Sequence, residues 1–181
     1  MSKIVPSSRP KQERAESLKQ LSKAGVRDKV ALIGVRGYYL NTMGKAGKND
    51  RGIYDDAIIL VAPEAHVAFN ANVDPSVSRK HIANLAEGVW LYKIGIHGLS
   101  RPVGPRRYKA LVQAGPVTVI RDEEGPDTGW FGINIHKGSY STTSSIGCQT
   151  LYPDQWPSFI ALVESQMKKH EQKTIPYLLR V

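Results

Sequence analysis

The sequence predicts a mainly β, α+β domain with a basic helix at its N-terminal end and a second helix near its C-terminal end. Two observations carry this. From Lys29 onward, apolar runs of strand length alternate with clusters of glycine, asparagine, aspartate and proline, and no helical period interrupts them before Trp156. Beyond that point apolar residues recur with helical spacing. Strands that cluster without alternating helices favour antiparallel pairing over a doubly wound parallel sheet. A chain of 181 residues suits one domain, read as 28–181, preceded by a basic arm or helix over 1–27.

In chain order, Ser7-Ser8-Arg9-Pro10 reads as a turn. Ala15, Leu18, Leu21 and Ala24 then recur at every third residue and Gly25 offers a stop, which predicts a short amphipathic helix. Lys29 to Arg36 is the first strand, followed by a surface loop through Asn41, Gly44, Gly47, Asn49, Asp50 and Gly52. Ala57 to Ala62 and Ala65 to Ala71 flank Pro63-Glu64 as a tight hairpin. Val89 to His97, Pro116 to Arg121 and Phe131 to His136 complete the expected strands. Trp156, Phe159, Ile160, Val163 and Met167 form one helical stripe, with Pro157 tolerable in the first turn and Lys168, Lys169 and His170 near the end. That stripe reads as packing.

Lysine and arginine number 25 against 16 acidic residues, a net charge of +9, and residues 1–29 hold eight of the basic and three of the acidic residues. The arm reads either as a solvated helix packed on the domain by a weak apolar stripe or as a contact to an anionic polymer such as nucleic acid, lipid or teichoic acid, and the alternative to an enzyme is a non-catalytic module that binds nucleic acid or a cell-wall polymer. The longest apolar runs fall far short of the ~20 residues needed to cross a bilayer. One cysteine permits no intrachain disulfide. The first six residues lack the apolar core of a secretory signal, so synthesis in a cytoplasm is expected. No glycine pattern matches a dinucleotide or phosphate loop, and the five histidines show no H-x-x-x-H or H-E-x-x-H spacing, so neither cofactor nor metal is expected.

The chemistry concentrates in one stretch. An apolar run, Gly132-Ile133-Asn134-Ile135, delivers His136 to a loop of serines and threonines that returns to Ser145-Ile146-Gly147-Cys148. A thiolate is a strong nucleophile, a neighbouring imidazole moves its proton, and a preceding glycine lets backbone N–H groups approach an oxyanion. His97, in Gly95-Ile96-His97-Gly98, repeats the arrangement of a strand followed by His and Gly, so either His136 or His97 is a candidate base. Arg106 and Arg107, in the proline-rich loop 101–108, suit a substrate carboxylate. Tyr140, Ser144 and Gln149 flank the cysteine as candidate substrate contacts. The pair Asp55-Asp56 reads as loop and cap rather than as a glycosidase or cation-binding pair.

These residues resemble the L,D-transpeptidase family. Ile135-His136-x-Gly followed by Ser145-Ile146-Gly147-Cys148 is similar to that family's motif, with the histidine upstream of the cysteine. The resemblance spans Asn134 to Leu151. It implies a β-rich catalytic domain that attacks peptidoglycan stem peptides through a cysteine thioester, with Cys148 as nucleophile and Gly147 and Ser145 shaping its loop. Three departures stand out: Ile146 replaces the histidine before Gly-Cys, eight residues separate His136 from Ser145, and Thr150 replaces an arginine two residues past the cysteine. The base then falls to His136 or His97, and hydrolysis stands level with transpeptidation. A small, basic chain of this kind resembles bacteriophage lysis or virion-associated murein enzymes, released to the cell wall by a holin or delivered with the virion.

Overall fold

The structure is a computed structural model, and it describes residues 5–121 and 124–180. Two helices, α1 (Arg14–Lys23) and α2 (Trp156–Lys169), accompany eleven strands: β1 (Ala31–Val35), β2 (Asp56–Ala62), β3 (Ala65–Asn72), β4 (Ala83–Leu85), β5 (Gly88–His97), β6 (Tyr108–Gln113), β7 (Val117–Arg121), β8 (Gly125–Gly129), β9 (Ile135–Lys137), β10 (Gln149–Leu151) and β11 (Ile175–Arg180). Eight strands close into a barrel in the order β1-β11-β5-β6-β9-β10-β3-β2, and a separate sheet runs β4-β7-β8. Within the barrel β1 runs parallel to β11 and β9 parallel to β10; the other pairings are antiparallel. The fold is mainly β with helices at the two expected places. No described helix is long and apolar enough to cross a membrane.

Strand periodicity explains why β1, and β2 beyond Asp56, carry no polar side chain. Successive side chains point to opposite faces, and both faces here are covered. Leu32, Ile58 and Leu60 point into a core shared with Phe69, Leu111, Ile135 and Tyr177, and the α2 stripe of Trp156, Phe159, Val163 and Met167 joins this same core. Ala31, Ile33, Ile59 and Val61 belong to a second core with Leu21 of α1, Val26, Tyr39 and Met43. The glycine-rich loop after β1 is thus a lid on the outer face of the barrel. Helix α1 lies on that same face. Ser17 Oγ meets His66 Nε2 at 2.9 Å, Arg14 donates to Pro63 O at 2.8 Å, and Gln12 N donates to Tyr38 Oη at 3.2 Å. Gly25, at φ 78°, turns the chain out of the helix.

The hairpin β2/β3 turns at Pro63-Glu64, with Ala62 opposite Ala65. Tyr177, fully buried, crosses the barrel to Gly34 on the neighbouring strand, where any Cβ would lie 2.0 Å from its hydroxyl oxygen. Partly buried Arg36 donates to Asp74 at 2.9 Å and to Leu85 O at 2.7 Å, which ties the barrel to the small sheet.

Five strands lie outside the sequence expectation: β4, β6, β8, β10 and β11. β8 reads Gly-Pro-Asp-Thr-Gly and has no apolar residue; it edges the small sheet, where a proline is tolerated. β11 carries Pro176 at its second position, a breaker signal overridden by the pairing of the strand on both sides. Conversely, only Ile135–Lys137 of the expected strand Phe131–His136 pairs. The residues before it spend their N–H groups on side chains: Phe131 N and Ile133 N both donate to Gln113 Oε1, at 3.1 and 2.7 Å.

The acidic turn is structural. Asp56 caps two loops, accepting from Gly37 N and Val73 N at 2.7 Å each, and Asp55 accepts from Asp50 N at 2.9 Å. Asp55 Oδ1 is buried without a hydrogen-bond partner. Burial is the main cause that pushes the Asp55 carboxyl up to about 6. Its folded-state pKa thus exceeds the unfolded one, so its contribution is fully present below about pH 4 and fades as pH rises through about 6. Urea unfolding of wild type and Asp55→Asn at pH 4 and pH 7 should show the wild type losing about 2 to 3 kcal/mol relative to the variant over that range. A constant difference between the two proteins would contradict this.

Candidate active site

Two parallel strands build the site. β9 and β10 pair with Gln149 opposite Ile135 and Thr150 opposite His136. This places the residues that enter the two strands, Asn134 and Cys148, side by side: Asn134 N donates to Cys148 Sγ at 3.5 Å, and the thiol donates to Gly132 O at 3.5 Å. His97 ends β5 opposite Tyr108 on β6, and β6 pairs with β9 through Leu111 and Ile135. The barrel therefore brings both candidate histidines to one place, where the rings stack with centroids 4.1 Å apart and planes 22° apart.

The loop before the cysteine is held from behind. Ser145, almost fully buried, accepts from Gly147 N at 3.1 Å and donates to Cys148 O at 2.5 Å through the same hydroxyl. Its backbone N–H donates to Ser76 Oγ at 2.8 Å, and its carbonyl accepts from Ser76 N at 3.0 Å. Tyr54 donates to Ser139 O at 2.7 Å and accepts from Ser139 N at 2.9 Å. Gly147 adopts φ 135°, and a Cβ there would approach Ala83 O to 2.7 Å, so the turn into the cysteine requires glycine. With Gly147 N–H engaged by Ser145, the backbone donors of this turn left without a partner among the described residues are Ile146 N–H and Cys148 N–H.

A cleft of about 500 Å³ opens onto this arrangement. Cys148, His136, His97, Ser144, Arg106 and Ile146 line it, joined by Arg101, Tyr108 and Lys137. Among the described residues no carboxylate does. Three of the expected substrate contacts lie elsewhere. Gln149 is fully buried and accepts from Tyr177 Oη at 3.1 Å while donating to Gly147 O at 3.2 Å, so it braces the loop from inside the barrel. Arg107 donates to Leu99 O at 2.6 Å and fixes its own loop. Tyr140 lies beside Tyr152 and bonds Asp154. Arg101, which opens the basic loop 101–108, reaches the cleft beside Arg106, together with Tyr108 and Lys137. It stands four residues beyond His97 in the connection that brings β6 back alongside.

The hydrogen bonds give the two imidazoles different roles. His136 Nδ1 sits 2.8 Å from Lys137 O and 3.2 Å from Tyr108 Oη, which itself donates to Lys137 O at 3.2 Å. A carbonyl only accepts, so Nδ1 carries the proton and Nε2 keeps its lone pair. His97 Nδ1 accepts from Asn134 Nδ2 at 3.2 Å, which leaves the His97 proton on Nε2. His136 Nε2 can thus accept a proton, and His97 Nε2 can donate one. Burial pushes the His136 ring down to about 4, reinforced by the neighbouring His97 and Arg101, and burial followed by Arg101 also lowers His97. Burial raises the Cys148 thiol, partly offset by the Asn134 N–H. At neutral pH the site thus holds a neutral thiol beside neutral imidazoles.

No group of three metal-ligating side chains converges among the described residues. Comparison with family models, with curated proteins and with solved structures finds no match to this chain. The site therefore rests on its own geometry.

Proposed function

We propose that the chain is a cysteine-dependent acyl-transfer enzyme of L,D-transpeptidase-like architecture that acts on peptidoglycan stem peptides, as hydrolase or transpeptidase. The supporting observation is that one open cleft is lined by Cys148, His97 and His136, with His136 Nδ1 held by Lys137 O so that Nε2 keeps its lone pair. In this reading Cys148 Sγ attacks a peptide carbonyl while His136 Nε2 takes the thiol proton. The oxyanion is held by Cys148 N–H. As the C–N bond breaks, His136 returns the proton to the leaving amine and a thioester remains. Water or an acceptor amine then attacks the thioester, His136 takes its proton, and the proton passes back to sulfur as the C–S bond breaks. Arg101 and Arg106 line the cleft and suit a substrate carboxylate. The exposed Ile146 cannot move a proton, so this scheme assigns the whole relay to His136. Delivery to the wall by a holin or with a virion, and retention there by the basic N-terminal segment, belong to the same reading.

Digestion of purified murein by wild type and Cys148→Ala tests this, together with mass spectrometry of the protein after incubation with a free tetrapeptide stem. The expected result is an adduct on Cys148 in the wild type and loss of digestion in the variant by at least about 10³-fold. Equal digestion by the two proteins would discard the thiol mechanism.

A further inference from the structure

Among the described residues five large apolar or aromatic side chains are more than three-fifths exposed, and four of them border one mouth. Tyr140 stands apart. Val103 is 85% exposed, Trp130 67%, and Leu99 and Ile146 64% each. All four line the thiol cleft or the two hollows beside it, three concavities that share Arg101. They sit on three separate connections: Leu99 and Val103 between β5 and β6, Trp130 between β8 and β9, and Ile146 between β9 and β10. A soluble protein rarely gathers its most exposed apolar side chains on neighbouring loops unless that surface meets something.

The charges on the same rim say what it meets. Lys93, Arg101, Arg106 and Lys137 line these three concavities, and none of them forms an ion pair among the described residues. No described Asp or Glu lines any of the three. We propose that this rim docks on an anionic lipid bilayer. Val103, Leu99, Ile146 and Trp130 would enter the boundary between headgroups and acyl chains, while the cations meet lipid phosphates at the depth that arginine and lysine reach by extending their stems. Tryptophan, amphipathic and rigid, suits that interface.

The loop bearing Val103 and Leu99 is set in advance. Pro102 and Pro105 restrict it, Arg107 holds Leu99 O at 2.6 Å, and Gly98 at φ 77° lies so close to Arg106 O that a Cβ would approach it to 2.4 Å. A preformed tip loses little conformational freedom on insertion. The rim is also distinct from the basic helix α1. That helix lies over β1 and β2, opposite β6 and β9 in the barrel order. Docking by the rim turns the thiol cleft toward the lipid surface, and it holds whether or not Cys148 carries out acyl transfer.

The full chain, mixed with vesicles of phosphatidylglycerol or of phosphatidylcholine, should sediment with the former and not the latter, and added salt should weaken the binding. Trp130 is the exposed tryptophan, Trp156 being 6% exposed and Trp90 partly buried, so its emission reports insertion. A blue shift is expected with phosphatidylglycerol and should vanish in Trp130→Phe. The double variant Leu99→Ser/Val103→Asp, with an unchanged unfolding midpoint, should bind at least about tenfold more weakly. The α1 variant Lys19→Glu/Lys23→Glu should stay within about twofold of wild type. Failure to bind phosphatidylglycerol vesicles, undiminished binding by the loop variant, or loss confined to the α1 variant would each overturn the proposal.

Discussion

His136→Gln is expected to slow acylation of Cys148 by about 10²- to 10⁴-fold, the usual contribution of a positioned general base, whereas His97→Gln should cost markedly less. The asymmetry comes from the hydrogen bonds, because the two rings share one cleft and stack on one another. His136 Nδ1–H is committed to Lys137 O, so its Nε2 is free to accept a proton, while His97 accepts at Nδ1 and carries its proton on Nε2. A measurement that needs no natural substrate is the rate of Cys148 alkylation by iodoacetamide against pH. Wild type should show a thiol titrating above its ordinary range, because burial raises it, with no thiolate plateau in the neutral region. A plateau at neutral pH, or equal acylation defects in the two histidine variants, would contradict the assignment of His136 as sole base.

Gly34→Ala should destabilise the fold by about 3 to 5 kcal/mol. The new Cβ would sit 2.0 Å from Tyr177 Oη and 2.5 Å from Cζ, and Tyr177 is fully buried. Overpacking of this kind typically costs about 1 to 3 kcal/mol. Pushing the ring aside also breaks the buried hydrogen bond from Tyr177 to Gln149, which adds about 1 to 3 kcal/mol for the unsatisfied partner. Because Gln149 donates to Gly147 O, the loss should reach the cysteine loop as well. Urea unfolding of Gly34→Ala, Tyr177→Leu and the double variant checks this. The double variant should be far less destabilised than the sum of the two, since removing the ring makes room for the methyl. Simple additivity would show that the clash had been relieved by other movements.

The strands that carry long apolar runs, β1 to β3, and the striped helix α2 were legible because burial on both faces, or on one helical face, writes directly into composition. β8 and β10 were not. A three-residue strand such as β10 leaves no period to read, and β8 is held by pairing to β7 rather than by side-chain burial. At the site, Cys148, His136, His97 and Ser145 were visible because few residue types do thiol chemistry and their order is distinctive. The base could not be chosen from sequence, because the choice depends on Lys137 O and Asn134 Nδ2, groups whose partners only the folded chain defines. Gln149 shows the opposite error. A polar residue beside the nucleophile suggests substrate contact, yet strand alternation turns it into the barrel, where Tyr177 supplies its partner.

The parallel pairing of β1 with β11 carries a kinetic consequence. Leu32 to Val35 find their neighbours at Tyr177 to Arg180, almost at the far end of the chain. During synthesis the hairpin β2/β3 and its contacts to β1 can form early, but one edge of β1 stays open until β11 leaves the ribosome, and so does the edge of β5 that faces away from β6. Closure over so many intervening residues is slow, and the waiting edges are apolar strands of the kind that pair with other chains. Expression of chains truncated before Ile175 should therefore give aggregation rather than a smaller folded unit, with the exposed edges of β1 and β5 as the sites where it begins.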